Sequence, residues 1–295
     1  MAGSRSQGDE TVLITSRERV IFPDAGRTKG ELADYYAAVA PLMLPFVSGR
    51  PVRLVRCPQG RAKKCFFQKH HTGGFGPHVH TVSIREKSGK IDDYLYVDEA
   101  AGLLECVQMG TIEFHGWQAL ADDVELPDRL VFDLDPDEGI GFAEVTRAAC
   151  DIRDRLAVEG LTSVAMLTGG KGVHVIAPLT RGHSWEAHKE FAKGFATALA
   201  EAEPERFTAT MSKAKRQGRI FIDWLRNQRG NTSVVPYSAR ARTGAPVAVP
   251  LTWGELVKAK DARAFSIGDA AKLLERAKSE GLAGWGMAEQ GLPQA

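Results

Sequence analysis

The sequence predicts a mixed α/β chain of the α+β type, with helices and hairpins sharing a core rather than alternating in a doubly wound parallel sheet. Three observations lead there. Two long stretches, 28–44 and 142–159, carry a helical apolar stripe. Two regions of strand-like residues, 79–97 and 164–177, are each broken by a short glycine-containing turn, KSGK at 87–90 and GGKG at 169–172, which is the pattern of a hairpin. Two further apolar runs, RLVFDLDP at 129–136 and RIFIDW at 219–224, read as strands that carry aspartates towards their C-terminal ends.

Taken in order, residues 1–11 have no apolar centre, so they are not a secretory signal and read as a disordered lead-in. The folded unit is expected over 12–285, with an N-terminal part to about residue 110, a second part from 111, and a frayed tail over 286–295. Residues 12–22 predict a strand or an extended segment. The helix over 28–44 has Thr28 and Glu31 at capping-box spacing, with Leu32, Tyr35, Val39 and Leu42 or Met43 on one face. Pro41 is expected to shorten or kink it. VRLVR at 52–56 predicts a strand, and Phe66 and Phe67 follow a basic segment. A helix over 100–109 and a strand over 111–115 come next. The helix over 142–159 buries Phe142, Val145, Ala149, Ile152 and Leu156, with Gly160 suited to its C-terminal cap. Ser184 caps a helix to 202, residues 226–250 are rich in loop, and Thr252/Glu255 and Ser266/Asp269 open helices over 252–259 and 266–281.

Hydrophobic content of 43% and charged content of 25% are those of an ordinary globular protein. No apolar run approaches the roughly 20 residues of a membrane span. The four cysteines, Cys57, Cys65, Cys106 and Cys150, form no C-x-x-C pair, so free thiols in a reducing cytoplasm are expected rather than zinc or a disulfide framework. The net charge of +1 hides segregation: Arg50 to His71 holds seven Lys or Arg and no acid, and Glu205 to Arg242 holds nine against two acids. A positive groove can lie behind a neutral sum, although any one of these residues can equally be solvated surface.

Four features carry chemistry. In RLVFDLDP, alternate side chains share a face, so Phe132 and Leu134 point to a core while Val131, Asp133 and Asp135 take the other side. Two adjacent carboxylates repel and need a cation; hard Mg²⁺ or Mn²⁺ prefers oxygen ligands, and a pair of such ions suits phosphoryl transfer. On spacing alone, an acidic strand end in solvent stays open. In Thr168-Gly169-Gly170-Lys171-Gly172-Val173-His174, glycines let backbone N–H groups converge on an anion and Lys171 adds a charge. It lacks Walker A spacing, and a plain glycine hairpin is the alternative. Asp223 ends the RIFID strand, and Arg226, Arg240 and Arg242 follow with guanidinium groups suited to phosphate; a strand-end cap is the alternative. Phe66 and Phe67 among cations suit base stacking, with one of the two expected in the core.

Together these motifs resemble the polymerase domain of the bacterial non-homologous end-joining ligase D, within the archaeo-eukaryotic primase superfamily. The residues that carry the resemblance are FDLDP at 132–136, TGGKGVHV at 168–175, FIDWLRNQRG at 221–230 and PYSARAR at 236–242, with QMGTIEFHGW at 108–117, FFQKH at 66–70 and TKGELADYY at 28–36 in support. It covers roughly Val12 to Trp285. The resemblance implies a primase-type fold: a central catalytic sheet flanked by helices and an N-terminal α/β subdomain. It implies two Mn²⁺ or Mg²⁺ ions at Asp133, Asp135 and Asp223, an NTP or dNTP held by Thr168, Gly170, Lys171, Gly172, His174, Arg226 and Arg240, and His115 beside the sugar. It places Phe66 and Phe67 on template bases and Ser16, Arg19 and Lys29 at a 5′-phosphate. Thr168 stands where the family usually has Ser, and Arg19 and Ser16 where it often has Lys and Asn. No K-x-D-G ligase motif occurs, so the resemblance is to the polymerase unit alone, excised or free-standing. The implied activity is primer extension at DNA breaks and gaps, with a preference for ribonucleotides and Mn²⁺, with Ku and a DNA ligase as partners and no membrane, in the cytoplasm near the nucleoid. A two-metal nuclease or a non-catalytic DNA-end-binding module are the alternatives; the former has no need of the triphosphate cradle.

Overall fold

In the computed structural model, which describes residues 12–293 apart from 213 and 215, the chain opens with strands β1 (Val20–Phe22) and β2 (Arg27–Thr28), then helix α1 (Lys29–Val47). Strands β3 (Val52–Arg56), β4 (Phe66–Gln68), β5 (His80–Arg85) and β6 (Ile91–Tyr96) follow, then α2 (Ala100–Gln108) and β7 (Thr111–Gly116). Next come β8 (Arg129–Pro136), α3 (Phe142–Val158), β9 (Val164–Leu167), β10 (Val173–Pro178) and α4 (Trp185–Ala202). The remainder is β11 (Phe207–Thr208), β12 (Ile220–Asp223), a 3₁₀ turn (Trp224–Asn227), β13 (Ser233–Val234), β14 (Val249–Leu251), α5 (Trp253–Lys258) and α6 (Ala270–Ala277).

Two sheets organise these elements. The larger has the order β11-β12-β8-β10-β9-β14, with every pairing antiparallel except β11 with β12. The smaller, β13-β7-β3-β4, is antiparallel throughout. The mixed class holds for a local reason: hairpin turns at 87–90 and 169–172 join antiparallel neighbours directly, while α3 carries the chain from β8 past β10 to β9. One face of the larger sheet presents Phe132, Leu134, Val173 and Val175 to the main core, where Phe195 of α4 packs on Phe132 at 4.9 Å between ring centroids. On the other face Val131, Met166 and Ile176 pack with Val234 and Trp285 in a second cluster. That leaves the strand ends of the second face for polar groups.

Helix caps follow the sequence closely. The Thr28/Glu31, Thr252/Glu255 and Ser266/Asp269 boxes all form, and Ser184 Oγ accepts from Ala187 N. Gly160 follows the α3 cap in a left-handed conformation (φ 78°). Several expectations are corrected. The extended segment over 12–22 is a strand only at its end. Pro41 does not shorten α1, which runs through Pro41 and Pro45 to Val47; both prolines face solvent, where the carbonyls they leave unpaired can take water. The helix over 266–281 is shorter, because Ser266 caps a 3₁₀ turn (Ile267–Asp269) before α6 begins. As far as residue 293 the tail packs instead of fraying: Gln290 Nε2 donates to Thr162 O and Pro178 O, and Leu292 joins the main core. The expected lead-in lies outside the described residues.

Nor are all four cysteines free. Cys57 and Cys65 form a disulfide, with Cα atoms 4.4 Å apart, while Cys106 and Cys150 are free. The physical reason is the β3–β4 register: Arg56 faces Phe66, so the next step outward in an antiparallel ladder sets Cys57 opposite Cys65. A search for closely spaced pairs cannot see a cross-strand pair. Among the described residues no helix is long and apolar enough to cross a membrane.

Candidate active site

The β12–β8–β10 registers pair Asp223 with Asp133, and Asp133 with His174. Partners across antiparallel strands share a face, so these three side chains form a row on the sheet, and Asp135 joins them two residues along β8. Arg226, on the 3₁₀ turn after β12, places Nη2 3.0 Å from both Asp133 Oδ2 and Asp223 Oδ2. His174 Nε2 lies 3.4 Å from Asp133 Oδ1. Asp135, 52% exposed, takes Arg216 Nη1 at 2.7 Å, with the Arg216 guanidinium 4.0 Å above the Phe221 ring.

The two facing carboxylates differ. Burial alone would raise the Asp133 carboxyl, but the His174 charge and hydrogen bond, then Arg226 and Arg240, outweigh it and hold it well below the carboxylate range. Burial raises Asp223, Arg226 opposes, and the neighbouring Asp133 charge adds to the rise. Arginines at present supply the positive charge this acidic row requires. His174 Nδ1, Arg216 Nε and Arg226 Nε are buried without a hydrogen-bond partner, an arrangement that costs about 1–3 kcal/mol per group unless a ligand answers it. Oxygen-rich donors with an adjacent imidazole fit Mg²⁺ or Mn²⁺.

Facing this row is the glycine turn between β9 and β10. Gly172 is there because of close approach: a Cβ would stand 1.9 Å from Leu134 O. Gly169 is left-handed (φ 64°), and a Cβ there would meet the Val247 backbone at 2.9 Å. Thr168 Oγ1 donates to Gly172 O at 2.9 Å and accepts from Gly170 N at 3.2 Å, so this hydroxyl shapes the turn. Arg240 Nη1 donates to Thr168 O, and Arg263 Nε to Gly170 O at 3.1 Å. A cleft of about 360 Å³ brings together His115, Asp133, Asp135, Thr168, Gly170, Lys171, Gly172, His174, Arg226 and Arg240, with Arg242 beside them. Asp223 stays just outside the lining, joined through Arg226. On β7, Glu113 Oε2 accepts from His115 Nε2 at 2.7 Å and from Arg240 Nε at 3.0 Å. Burial would raise Glu113, but the His115 hydrogen bond and the Arg240 charge bring it down to about 2. Burial lowers His115, against Glu113, with Arg240 and Arg226 lowering it further.

A second cavity, of about 180 Å³, is lined by Arg19, Lys29 and Arg56, with no carboxylate among its described lining residues. The β1–β2 pairing folds Arg19 back beside Lys29, whose N–H donates to Arg19 O at 2.8 Å. Lys29 is buried, with Nζ donating to Gln108 O at 3.0 Å and Gln108 Oε1 at 2.6 Å. Burial, then the Arg19 charge, pull its ammonium below the usual range. A helix N-terminus beside a lysine would ordinarily attract a phosphate through its N–H groups, but those of α1 are already taken. Lys29 N, Gly30 N and Glu31 N donate to Arg19 O, Arg17 O and Thr28 Oγ1, so attraction here comes from side chains. Ser16, left-handed at φ 54°, offers its hydroxyl to Arg19 Nη2 at 3.4 Å and does not line the cavity.

Phe66 and Phe67 are 41% and 66% exposed, so neither is in the core as expected of one. They sit on β4, the edge of the smaller sheet, with Arg56 5.4 Å from the Phe66 centroid and Arg53 5.6 Å from that of Phe67. Phe67 also approaches the His115 ring at 6.4 Å between centroids, linking this platform to the cleft.

The sequence model of the LigD primase-polymerase domain matches residues 28–280. The chain belongs to this family. Similar curated proteins include the multifunctional non-homologous end joining protein LigD of Pseudomonas aeruginosa, 38% identical over 269 residues, or 90% of this chain and 32% of that protein. The corresponding DNA repair protein LigD of Mycobacterium tuberculosis is 37% identical over 259 residues, or 85% of this chain and 34% of its own. The chain thus spans about one third of the length of these relatives. Among solved structures, the polymerase domain from Mycobacterium tuberculosis ligase D in complex with DNA superposes with a TM-score of 0.83 at 33% identity, covering 92% of this chain and 95% of that one.

Sequence reasoning missed several residues of this LigD-type domain. Glu113, Arg56 and Arg216 were not singled out; an acid inside the apolar run TIEF was the available signal for Glu113, whereas Arg56 and Arg216 carry none locally. Two other groups bring histidine beside carboxylates, His70 with Glu86 and Asp92, and His80 with Asp98 and Glu99. In the first, Lys69 and Lys90 already neutralise the acids; the second is largely exposed.

Proposed function

We propose that this chain is a template-dependent nucleotidyltransferase that extends primers, with ribonucleotides preferred, to fill gaps and ends during non-homologous end joining. One observation carries the reading: a cleft with a basic glycine-turn cradle on one wall and Asp133 and Asp135 on the other. A nuclease would use the carboxylates and leave the cradle without a task.

Asp133, Asp135 and Asp223 would hold two divalent ions, Mn²⁺ or Mg²⁺, which would supply Lewis-acid activation of the primer hydroxyl and charge neutralisation at the leaving pyrophosphate. The protein's own part is positioning. Lys171 and Arg240 hold the triphosphate, Gly170 and Gly172 let the backbone approach it, and Arg226 and His174 flank the reacting phosphate. Thr168 keeps the turn in shape. His115 meets the sugar. Phe66 and Phe67 stack on template bases at the break, and Arg19, Lys29 and Arg56 receive a 5′-phosphate. DNA with a break or gap is the substrate partner; Ku and a ligase act on the same ends.

Primer extension on a gapped duplex tests the reading, comparing ribo- with deoxynucleotides, Mn²⁺ with Mg²⁺, and a 5′-phosphate with a 5′-hydroxyl. Absence of templated incorporation under all conditions removes it. Lys171→Ala should raise the nucleotide KM by about 10- to 100-fold, since a hydrogen bond to a charged group contributes about 1.5–3 kcal/mol; unchanged nucleotide kinetics would take Lys171 out of the cradle. At the second cavity, wild-type protein should bind 5′-phosphorylated gapped DNA about tenfold more tightly than the 5′-hydroxyl form, with the difference falling as salt rises. Lys29→Ala should shrink that difference, and equal binding of both ends at low salt by the wild type would mean that no phosphate is received there.

A further inference from the structure

Glu113 does not line the cleft, yet two residues that do, His115 and Arg240, are tied to it. It is 6% exposed, so its negative charge is withdrawn from water. A buried carboxylate is costly unless its oxygens are answered. Here they are: Oε2 accepts from His115 Nε2 at 2.7 Å and Arg240 Nε at 3.0 Å, and Oε1 accepts from Ala241 N at 2.7 Å. Strand alternation sets Glu113 and His115 on one face of β7, and the loop after β13 brings Arg240 and Ala241 to the same carboxylate. Arg240 spends its Nη1 on Thr168 O, at the start of the glycine turn. One side chain thus connects the imidazole, the guanidinium and the turn.

A carboxylate beside an imidazole also decides which ring nitrogen carries the proton. An ionised Glu113 only accepts, so the His115 nitrogen facing it, Nε2, must donate. In the neutral ring that leaves Nδ1 as an acceptor, which can take an O–H from a sugar hydroxyl.

We propose that Glu113 is a positioning residue for nucleotide selection: it holds His115 in the Nε2–H form, with Nδ1 presented to a hydroxyl of the nucleotide sugar, and clamps Arg240 against the triphosphate turn. The inference rests on the proposed nucleotide site at this cleft, and it adds a source for ribose preference. A ribonucleotide offers a 2′-hydroxyl donor that a deoxynucleotide lacks, and a polar site left unpaired discriminates strongly.

Two measurements test it. In the wild-type protein, ¹⁵N-detected imidazole spectra should show His115 with protonated Nε2 and unprotonated Nδ1 at neutral pH. The Nδ1–H form, or a freely exchanging mixture, overturns the proposal, and this readout needs neither a variant nor activity. Second, Glu113→Gln should raise KM for ribonucleotides at least tenfold, with a smaller fall in kcat, and narrow the ribo-to-deoxy ratio. The same substitution on a His115→Ala background should leave that ratio almost unchanged, because Glu113 acts on the sugar through His115. Glu113→Asp, which keeps the charge, should partly restore the ratio. A Glu113→Gln enzyme with wild-type selectivity, or one that changes the ratio equally in both backgrounds, overturns it. If the wild type incorporates no nucleotide, the functional reading fails while the tautomer result still stands or falls by itself.

Discussion

Asp133→Asn is expected to lower nucleotide incorporation by about 10³-fold or more while the protein stays folded. Asp133 sits at the centre of the row, opposite Asp223 on one side and His174 on the other. Bound divalent ions contribute several kcal/mol of charge stabilisation, and each ~1.4 kcal/mol is tenfold in rate; losing about 4 kcal/mol gives the stated factor. Some stability is lost as well, since Asp133 also answers the His174 imidazole 3.4 Å away. The change removes one partner from Arg226, which keeps Asp223 at 3.0 Å, and it relieves the repulsion between the two facing carboxylates. Single-turnover incorporation measured beside a thermal melt separates the two effects. Near-normal extension by a folded Asp133→Asn protein would remove these carboxylates from the chemistry.

Gly172→Ala should cost both stability and activity, although it adds only one methyl group, 3.8 Å from Asp133 Oδ1. Its Cβ would lie 1.9 Å from Leu134 O, where ordinary contact begins near 3.4 Å. The obstacle is backbone in a paired strand, so β8 and β10 must separate. Overpacking of this kind costs about 1–3 kcal/mol or more. Leu134 lies between Asp133 and Asp135, so the same movement displaces both carboxylates, and a misplacement of about 1 Å costs on the order of 10²-fold. Gly170→Ala is the milder comparison: its Cβ meets no backbone, only Thr168 Oγ1 at 3.3 Å, which would have to give by a few tenths of an ångström. The expected result is a lowered melting temperature and at least a tenfold loss of incorporation for Gly172→Ala, with a much milder change for Gly170→Ala. Equal behaviour of the two variants would mean that the β8–β10 approach does not constrain the turn.

Much of this was legible in the residues themselves. The caps at Thr28, Ser184, Thr252 and Ser266, and the aspartates at strand ends, depend on contacts within a few residues, which spacing alone describes. So does the division of RLVFDLDP into a core face and a polar face, because alternation is a property of one strand. Motif chemistry was legible too. Carboxylates two residues apart must share a face of a strand, and glycines around a lysine favour a tight turn.

Proximity between distant segments was not legible. The register that sets Asp223, Asp133 and His174 in one row is decided by which strands neighbour each other, and a shift of one residue would send Asp223 to the other face. Cys57 and Cys65 meet through a cross-strand register, and Glu113 reaches Arg240 from 127 positions away. Exposure was equally out of reach: Phe66 and Phe67 stay in solvent because β4 is an edge, and the α1 N–H groups are taken because Arg17 and Arg19, just before β1, and the Thr28 cap answer them. The sequence by itself determined the elements, their caps and the chemical types brought to the cleft, since these follow from short-range sterics and hydrogen bonding. The tertiary structure alone decided which of those groups meet, which are answered by a partner and which remain free, since that depends on the packing of segments far apart in the chain.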